Sequence, residues 1–433
     1  MLTPEQLHIE SLGAAEIPSP LRLSMVYGDG VVNYVPDATR VRYDVEVAPG
    51  VENRDDLLFE KAGPRENIYF DPANVRAAIV TCGGLSPGLN NVIRSIFLQL
   101  FHHYGLKDIL GIRYGYQGLS DTGQEPVKLT AAMVDKIHRV GGTILGSSRC
   151  SMDPEKVVDF LASRGINVLF CIGGDGTQAG AHAIAEVAQR RGEKISIMGV
   201  PKTIDNDIRY VYRTFGFATA IDIAQNTIDC AHAEATGAPN CVALVKLMGR
   251  DAGFIAAGAT VASQDVNFCL VPEVPFDIPG LLEALDRRLA ARGHAVIVVA
   301  EGAGQNLLAQ PDACDASGNR RYADIGLYLQ QTITDHYKAE GLEFNLKYID
   351  PSYTIRSVQA NSQDQMLCDQ YARYAVHAAL AGKTDMLIGM WHNVFIHVPI
   401  SVATAGKRHM SPESALWMAV LDATGQPVSM KSD

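Results

Sequence analysis

Seven short runs in this chain are apolar almost without interruption, at residues 76–82, 166–172, 195–200, 241–247, 266–271, 294–300 and 386–391. A strand with one wet face alternates apolar and polar residues, whereas a continuous run predicts a strand covered on both faces, as in a parallel sheet. Between the runs lie stretches of helical spacing, among them 88–103, 178–191, 217–234, 279–292, 323–340 and 362–380. This alternation predicts an α/β fold with doubly wound parallel sheets, and the residues after position 72 are enough for two lobes of roughly 100–200 residues each. In such sheets ligands bind beyond the carboxyl ends of the strands, so the loops leaving the seven runs are where chemistry is expected.

Residues 1–72 read differently. They hold 7 of the 20 prolines, and their 13 acidic and 6 basic residues account for −7 of the net charge of −11. The alternation from Val41 to Val47 predicts one or two exposed strands with no core of their own, an extension packed on a larger body. An acidic total excludes a broad basic face for nucleic acid or anionic lipid, so any phosphorylated substrate must meet positive charge gathered locally. The eight cysteines (Cys82, Cys150, Cys171, Cys230, Cys241, Cys269, Cys314, Cys368) form no Cys-x-x-Cys, and most sit in apolar runs. They read as small buried hydrophobes of a reducing compartment. No basic-flanked leader is seen at the N-terminus and no run approaches the ~20 apolar residues of a membrane span, so a cytoplasmic protein is expected.

Three loops carry the pattern of a phosphate site. The first run ends in Gly83-Gly84-Leu85-Ser86-Pro87-Gly88 before a helix, where close backbone approach and a helix N-terminus suit an anion. The same glycines also serve an ordinary strand-to-helix turn. The second leads into Gly173-Gly174-Asp175-Gly176-Thr177. A carboxylate amid glycines repels phosphate unless a cation bridges them, and magnesium is the natural bridge; a helix N-cap is the alternative use of Asp175. The third ends in Pro201-Lys202-Thr203-Ile204-Asp205-Asn206-Asp207. Asp205 and Asp207, two apart in an extended loop, face one way and suit a division between a base and a metal ligand, or a solvated Asx-rich turn. Arginines at strand ends, Arg149 after Gly141–Ser148 and Arg250 after Met248-Gly249, are candidate phosphate clamps, joined by Glu273, Lys347, Tyr353 and Arg356. The doublets His102-His103 and Ser147-Ser148 suggest neither a metal pair nor a nucleophile, because adjacent helix positions diverge and no partnered base is evident.

At these motifs the sequence resembles the phosphofructokinase family from about residue 76 to the end of the chain. The most specific strings are Gly173 to Thr177, Pro201 to Ile208, Lys246 to Ala256, Ala300 to Gln305 and Lys347 to Tyr353. Gly63-Pro64-Arg65-Glu66 and the long extension resemble the plant and kinetoplastid ATP-dependent branch. The resemblance implies transfer of phosphate from magnesium-bound ATP to the 1-hydroxyl of fructose 6-phosphate, in glycolysis, by a homotetrameric allosteric enzyme. It implies Asp205 as base, with Lys202, Thr203 and Arg250 in the catalytic group, and magnesium held by Asp175 with Asp207. Gly84, Arg149, Gly174, Asp175, Gly176 and Thr177 would meet the nucleotide. Thr203, Ile204, Asp205, Met248, Gly249, Arg250, Glu273, Lys347, Tyr353 and Arg356 would meet the sugar phosphate. The implied domains are an extension over 1–72, a nucleotide lobe over 73–216 and 355–405, and a sugar-phosphate lobe over 217–354 and 406–433.

The resemblance leaves the donor open to argument. Pyrophosphate-dependent relatives carry Asp where this chain has Gly176, which favours ATP, while Lys202 is shared with them. Where bacterial ATP-dependent relatives donate an arginine to the neighbouring subunit this chain has Cys241. Of two effector-site arginines only Arg94 has a counterpart, Leu98 standing at the other position, and Cys150 replaces an aromatic residue near the nucleotide. Besides the pyrophosphate enzyme, the alternatives are a lipid or NAD kinase, which also uses a Gly-Gly-Asp-Gly-Thr loop, and a non-catalytic sugar-phosphate-binding subunit. The strings at Pro201 and Met248 oppose the first, and retention of Asp175, Asp205, Asp207 and Arg250 opposes the second.

Overall fold

A computed structural model describes residues 2–50, 52–150, 152–309 and 322–432. The chain forms two compact units. The first comprises residues 1–203, 208–216 and 358–406, and the second residues 204–207, 217–357 and 407–433.

The first unit is built on a nine-stranded sheet. Its spatial order is Arg40–Arg42, Leu58–Lys61, Val394–Pro399, Met386–Trp391, Ser196–Pro201, Val168–Gly173, Arg76–Thr81, Asp108–Ile112 and Val127–Lys128. The five strands from Met386–Trp391 to Asp108–Ile112 are parallel, with Ala77 opposite Val168 and Val168 opposite Ser196. The strands outside them pair antiparallel, so the sheet is mixed where only parallel strands were expected. Both faces of the centre are covered, which is why Val168–Gly173 and Ser196–Pro201 are buried at every position.

Helices follow the central strands. Leu89–Leu98 passes into a π-helical turn at Gln99–His103, where the sequence predicted one helix. Asp175–Arg191 ends at Gly192 in the left-handed conformation, and Ser362–Leu380 begins with the Asn361 side chain accepting from the Asp364 N–H.

The extension is woven into this unit. Leu58–Lys61 and Arg40–Arg42 lengthen the sheet beyond Val394–Pro399, and Leu7, Ile9, Leu57, Phe59, Ile68 and Phe70 join its core. The alternation predicted over Val41 to Val47 forms a strand only to Arg42; Val45 and Val47 point into solvent. Glu60 is buried with Arg65 at 3.0 Å, Lys383 at 3.2 Å and His397 at 3.0 Å. The hydrogen bond with His397 and the charges of Lys383 and Arg65, outweighing the cost of burial, hold its carboxyl far below the usual carboxylate range.

The second unit has four parallel strands in the order Phe268–Leu270, His294–Ala300, Cys241–Leu247, Asn345–Ile349. The helices Phe217–Thr236 and Phe254–Ser263 pack into one apolar cluster against this sheet. Ile278–Arg292 and Ile325–Ala339 contribute to another. Among the described residues no helix is long and apolar enough to cross a membrane. Cys82, Cys171, Cys241, Cys269 and Cys368 are buried, Cys150 and Cys230 are exposed, and Cys314 lies outside the described residues.

Candidate active site

In the first unit three strand ends meet. Gly83 donates to the Ser148 carbonyl (3.0 Å), and the Ser147 hydroxyl donates to Gly83 O (2.6 Å). The glycine-rich loop that ends at exposed Arg149 is thereby bound to the loop that carries Gly84. Lys202 is almost fully buried; its N–H donates to Gly173 O (3.1 Å) and its ammonium to Gly84 O (2.7 Å). Lys202 thus ties the Gly84 and Gly173 loops together.

Asp175 opens the helix Asp175–Arg191, half-buried, with Gly176 exposed after it. Gly173 is obligatory, because a Cβ there would lie 2.1 Å from Thr177 Oγ1. Gly176 is different: a Cβ would meet no protein atom within 4 Å, so space beside it is open. The positive end of this helix and the open space beside Gly176 suit an anion, and the Asp175 carboxylate next to them suits a cation that would bridge to it.

Two buried side chains that sequence reasoning missed support the cradle. Tyr116 donates its hydroxyl to Thr177 O (2.6 Å). The Gln178 amide nitrogen lies within bonding distance of Cys171 O (3.3 Å), Gly173 O (2.9 Å) and Val200 O (3.3 Å), stitching together two adjacent strand ends. A glutamine one position after a Gly-Gly-Asp-Gly-Thr loop carries no distinctive signal in one sequence.

In the second unit the Ile204–Asp207 stretch lies among Asp251, Glu301 and Lys407. Asp207 is nearly fully buried, its Oδ2 2.6 Å from the Lys407 ammonium, which lies 3.6 Å from Asp251. Burial raises the proton affinity of Asp205 well above the ordinary carboxylate range, and the negative charges of Asp207, Glu301 and Asp251 add to it; Lys407 opposes them. A carboxylate whose proton affinity is raised in this way has the direction of shift that accepting a hydroxyl proton calls for.

The end of Cys241–Leu247 brings Met248, Gly249 and Arg250 beside Glu301. Glu301 N–H donates to Leu247 O (2.9 Å) and Gly302 N–H to Gly249 O (3.1 Å). Any side chain on Gly302 would strike the Arg250 carbonyl at 1.8 Å. The Arg250 guanidinium lies over the Tyr322 ring, 4.6 Å from its centre, and Arg356 lies over Tyr353 at 5.1 Å. Burial raises the Glu301 proton affinity, while Lys246, Arg250 and Arg356 pull it down, so these cations surround it. Sequence reasoning quoted Glu301 and Asp251 only inside longer strings and did not reach Lys407.

Two other candidates have partners of their own. Glu273 accepts from Gly253 N–H with both oxygens (3.0 and 3.1 Å) and from Met410 N–H (2.9 Å), so its carboxylate anchors backbone. Lys347 is exposed on Asn345–Ile349 opposite Ala243, where its charge moderates the raised proton affinity that burial gives Cys241. Among the described residues no three His, Cys, Asp or Glu side chains converge to hold a metal. A cation shared between one or two carboxylates and phosphate oxygens suits this donor set better than an all-protein cage.

The family model described as Phosphofructokinase matches residues 76–379. A Borreliella burgdorferi protein named ATP-dependent 6-phosphofructokinase is 47% identical over 98% of this chain and 97% of its own. ATP-dependent 6-phosphofructokinase of Trypanosoma brucei brucei is 44% identical over 98% of this chain and 88% of its own. ATP-dependent 6-phosphofructokinase 1 of Arabidopsis thaliana is 44% identical over 96% and 88%. Among solved structures, pyrophosphate-dependent phosphofructokinase from Marinobacter aquaeolei superposes with a TM-score of 0.69 at 21% identity, over 82% of this chain and 92% of its own, a likeness of fold.

Proposed function

Because the chain belongs to the phosphofructokinase family, we propose how its residues divide the work of an ATP-dependent 6-phosphofructokinase. The reaction moves the γ-phosphoryl of ATP to the 1-hydroxyl of fructose 6-phosphate and yields fructose 1,6-bisphosphate and ADP. Asp205 is the base, and the observation that carries this is its burial beside Asp207, Glu301 and Asp251, which gives it the proton affinity to take the hydroxyl proton.

Gly84 and residues 174–177 line the nucleotide phosphates with backbone, and Arg149 offsets their charge. Lys202 and Thr203 hold the loop that presents the base. Magnesium would be held by Asp175 with Asp207 assisting, and would supply charge neutralisation on the phosphates. Ile204, Met248, Gly249, Arg250, Lys347, Tyr353 and Arg356 bind the sugar phosphate, and Glu273 serves by anchoring the backbone at Gly253 and Met410. Positioning and charge stabilisation of this kind are most of what phosphoryl transfer asks of a protein.

We further assign the chain to the cytoplasm, on its five buried cysteines, and to a homotetramer, on the family resemblance; sedimentation equilibrium tests the assembly. The space beside Gly176 supports ATP as donor. The test of the whole reading is to supply ATP or pyrophosphate separately with fructose 6-phosphate and magnesium and follow fructose 1,6-bisphosphate. ATP alone is expected to give product. Asp205→Ser is expected to lower kcat by roughly 10²–10⁴-fold with nucleotide affinity unchanged. A near-normal rate removes Asp205 as the base, and absence of product with either donor points to a non-catalytic subunit.

A further inference from the structure

Tyr210 is a bulky residue held at φ 61°, in the left-handed region, and is nearly fully buried. Such a conformation persists where the surroundings over-determine it, and it clusters near functional segments. Tyr210 stands three residues after Asp207, in a stretch that returns to the first unit while Ile204–Asp207 belongs to the second.

Its surroundings within the first unit are unusual in origin. The Tyr210 ring packs against Phe59 (5.5 Å between centres), Trp391 (5.8 Å) and Tyr43 (6.3 Å). Tyr43 stacks on Trp391 at 5.4 Å, and the Trp391 indole N–H donates to the Tyr43 carbonyl (2.8 Å). On the backbone side Gly389 leaves room for the Tyr210 carbonyl, which a Cβ would approach to 2.7 Å, and Tyr212 N–H donates to Met390 O (2.8 Å). Arg209 lies 5.1 Å from the Tyr210 ring centre and donates to its hydroxyl (3.0 Å). Two of the three rings around Tyr210 therefore come from residues 1–72, and their register is fixed by the pairing of Glu60 with His397.

We propose that the N-terminal extension positions the catalytic loop: Tyr43 and Phe59 fix Tyr210, and with it residues 208–212, the downstream mount of Asp205 and Asp207. Upstream, the mount is Lys202, bound to Gly173 and Gly84. The residues on either side of the stretch that carries the base, Lys202 before it and 208–212 after it, are thus each held by partners within the first unit. Tyr43 is a positioning residue, and the inference rests on Asp205 being the base.

The test compares Tyr43→Ala, Tyr43→Phe and, as a control in the same segment, Val47→Ala, whose side chain is 88% exposed. Each is assayed for kcat, for KM toward both substrates, for Tm, and for the emission of Trp391, one of two tryptophans in the chain. Tyr43→Ala is expected to shift the emission and lower kcat about ten- to a hundredfold with KM for ATP unchanged, since small misplacement far from the chemistry carries such factors. Tyr43→Phe and Val47→Ala should stay within about twofold of the parent. If Tyr43→Ala does not fold, Tyr43→Leu, which keeps bulk without a ring, is read by the same criteria. A shifted emission or lowered Tm with normal kcat overturns the proposal, as does loss of kcat in Tyr43→Phe equal to that in Tyr43→Ala. Inactive Asp205→Ser beside a normal Tyr43→Ala removes only the positioning role, whereas active Asp205→Ser removes the base on which it rests.

Discussion

Replacing Lys407 by methionine should reveal how the acidic group in the second unit is tolerated. Its ammonium lies 2.6 Å from Asp207 and 3.6 Å from Asp251, and it opposes the rise in Asp205 proton affinity. Unit charges about 4 Å apart interact by about 4 kcal/mol at an effective dielectric of ~20. The lysine side chain is 36% exposed, so solvent screening reduces the expected loss to about 1–3 kcal/mol, even though Asp207 itself is 5% exposed. The loss must depend on pH. Asp205 has a higher proton affinity folded than unfolded. Well below the ordinary aspartate value of 3.8 both states are protonated and no penalty exists; above it the folded state loses stability as pH rises. Removing Lys407 raises the folded proton affinity further, so the gap between parent and Lys407→Met should widen as pH rises through the raised folded-state range in which Asp205 of the parent ionises. Urea denaturation at pH 4.5 and pH 8 measures this directly. The acid limb of kcat/KM should also move to higher pH, because the base must be ionised to act. Equal stability losses at the two pH values, or an unmoved acid limb, would refute the electrostatic account and leave Lys407 as packing.

Gly176→Asp should fold normally, since its Cβ meets no protein atom and an acidic residue suits a first helical turn. It should raise KM for ATP while leaving Tm unchanged, and an unaltered KM sinks the steric argument for the donor. Gln178→Met keeps the length of the side chain but removes the donor shared among Cys171, Gly173 and Val200. It should cost about 1–3 kcal/mol in denaturant titration and weaken ATP binding more than sugar-phosphate binding; equal effects on both would deny it a link to the glycine loop.

The strands legible in the sequence are those buried on both faces. Asn345–Ile349 escaped because it lies at the sheet edge with Lys347 exposed, and its five residues do not form an apolar run. Val394–Pro399 escaped because His397 interrupts it, and that histidine makes sense only beside Glu60, which arrives from the far end of the chain. The same long range hid the role of the extension: residues 1–72 show no core of their own because they borrow one. At the site, Asp205 and Asp207 were visible as a close pair on one loop. Asp251, Glu301 and Lys407 come from three other loops, and only the fold makes them neighbours.

The basicity of Asp205 is a compromise set by those neighbours. Asp207, Glu301 and Asp251 raise the driving force for taking a hydroxyl proton, but each also lowers the fraction of Asp205 that is ionised near neutral pH. Lys407 restores part of that fraction, and it does so from the last stretch of chain to enter the second unit, residues 407–433. The backbone holds it there: Arg408 N–H donates to the Asp207 carbonyl at 2.8 Å, so the lysine is registered against the very loop whose charge it offsets. A shift of that segment by one residue would exchange lysine for Gly406 or Arg408 and change the ionisation of the base without touching Asp205. On the proposed assignment of Asp205 as the base, residues 407–433 are therefore as much a part of the proton chemistry as the loop that carries the carboxylate.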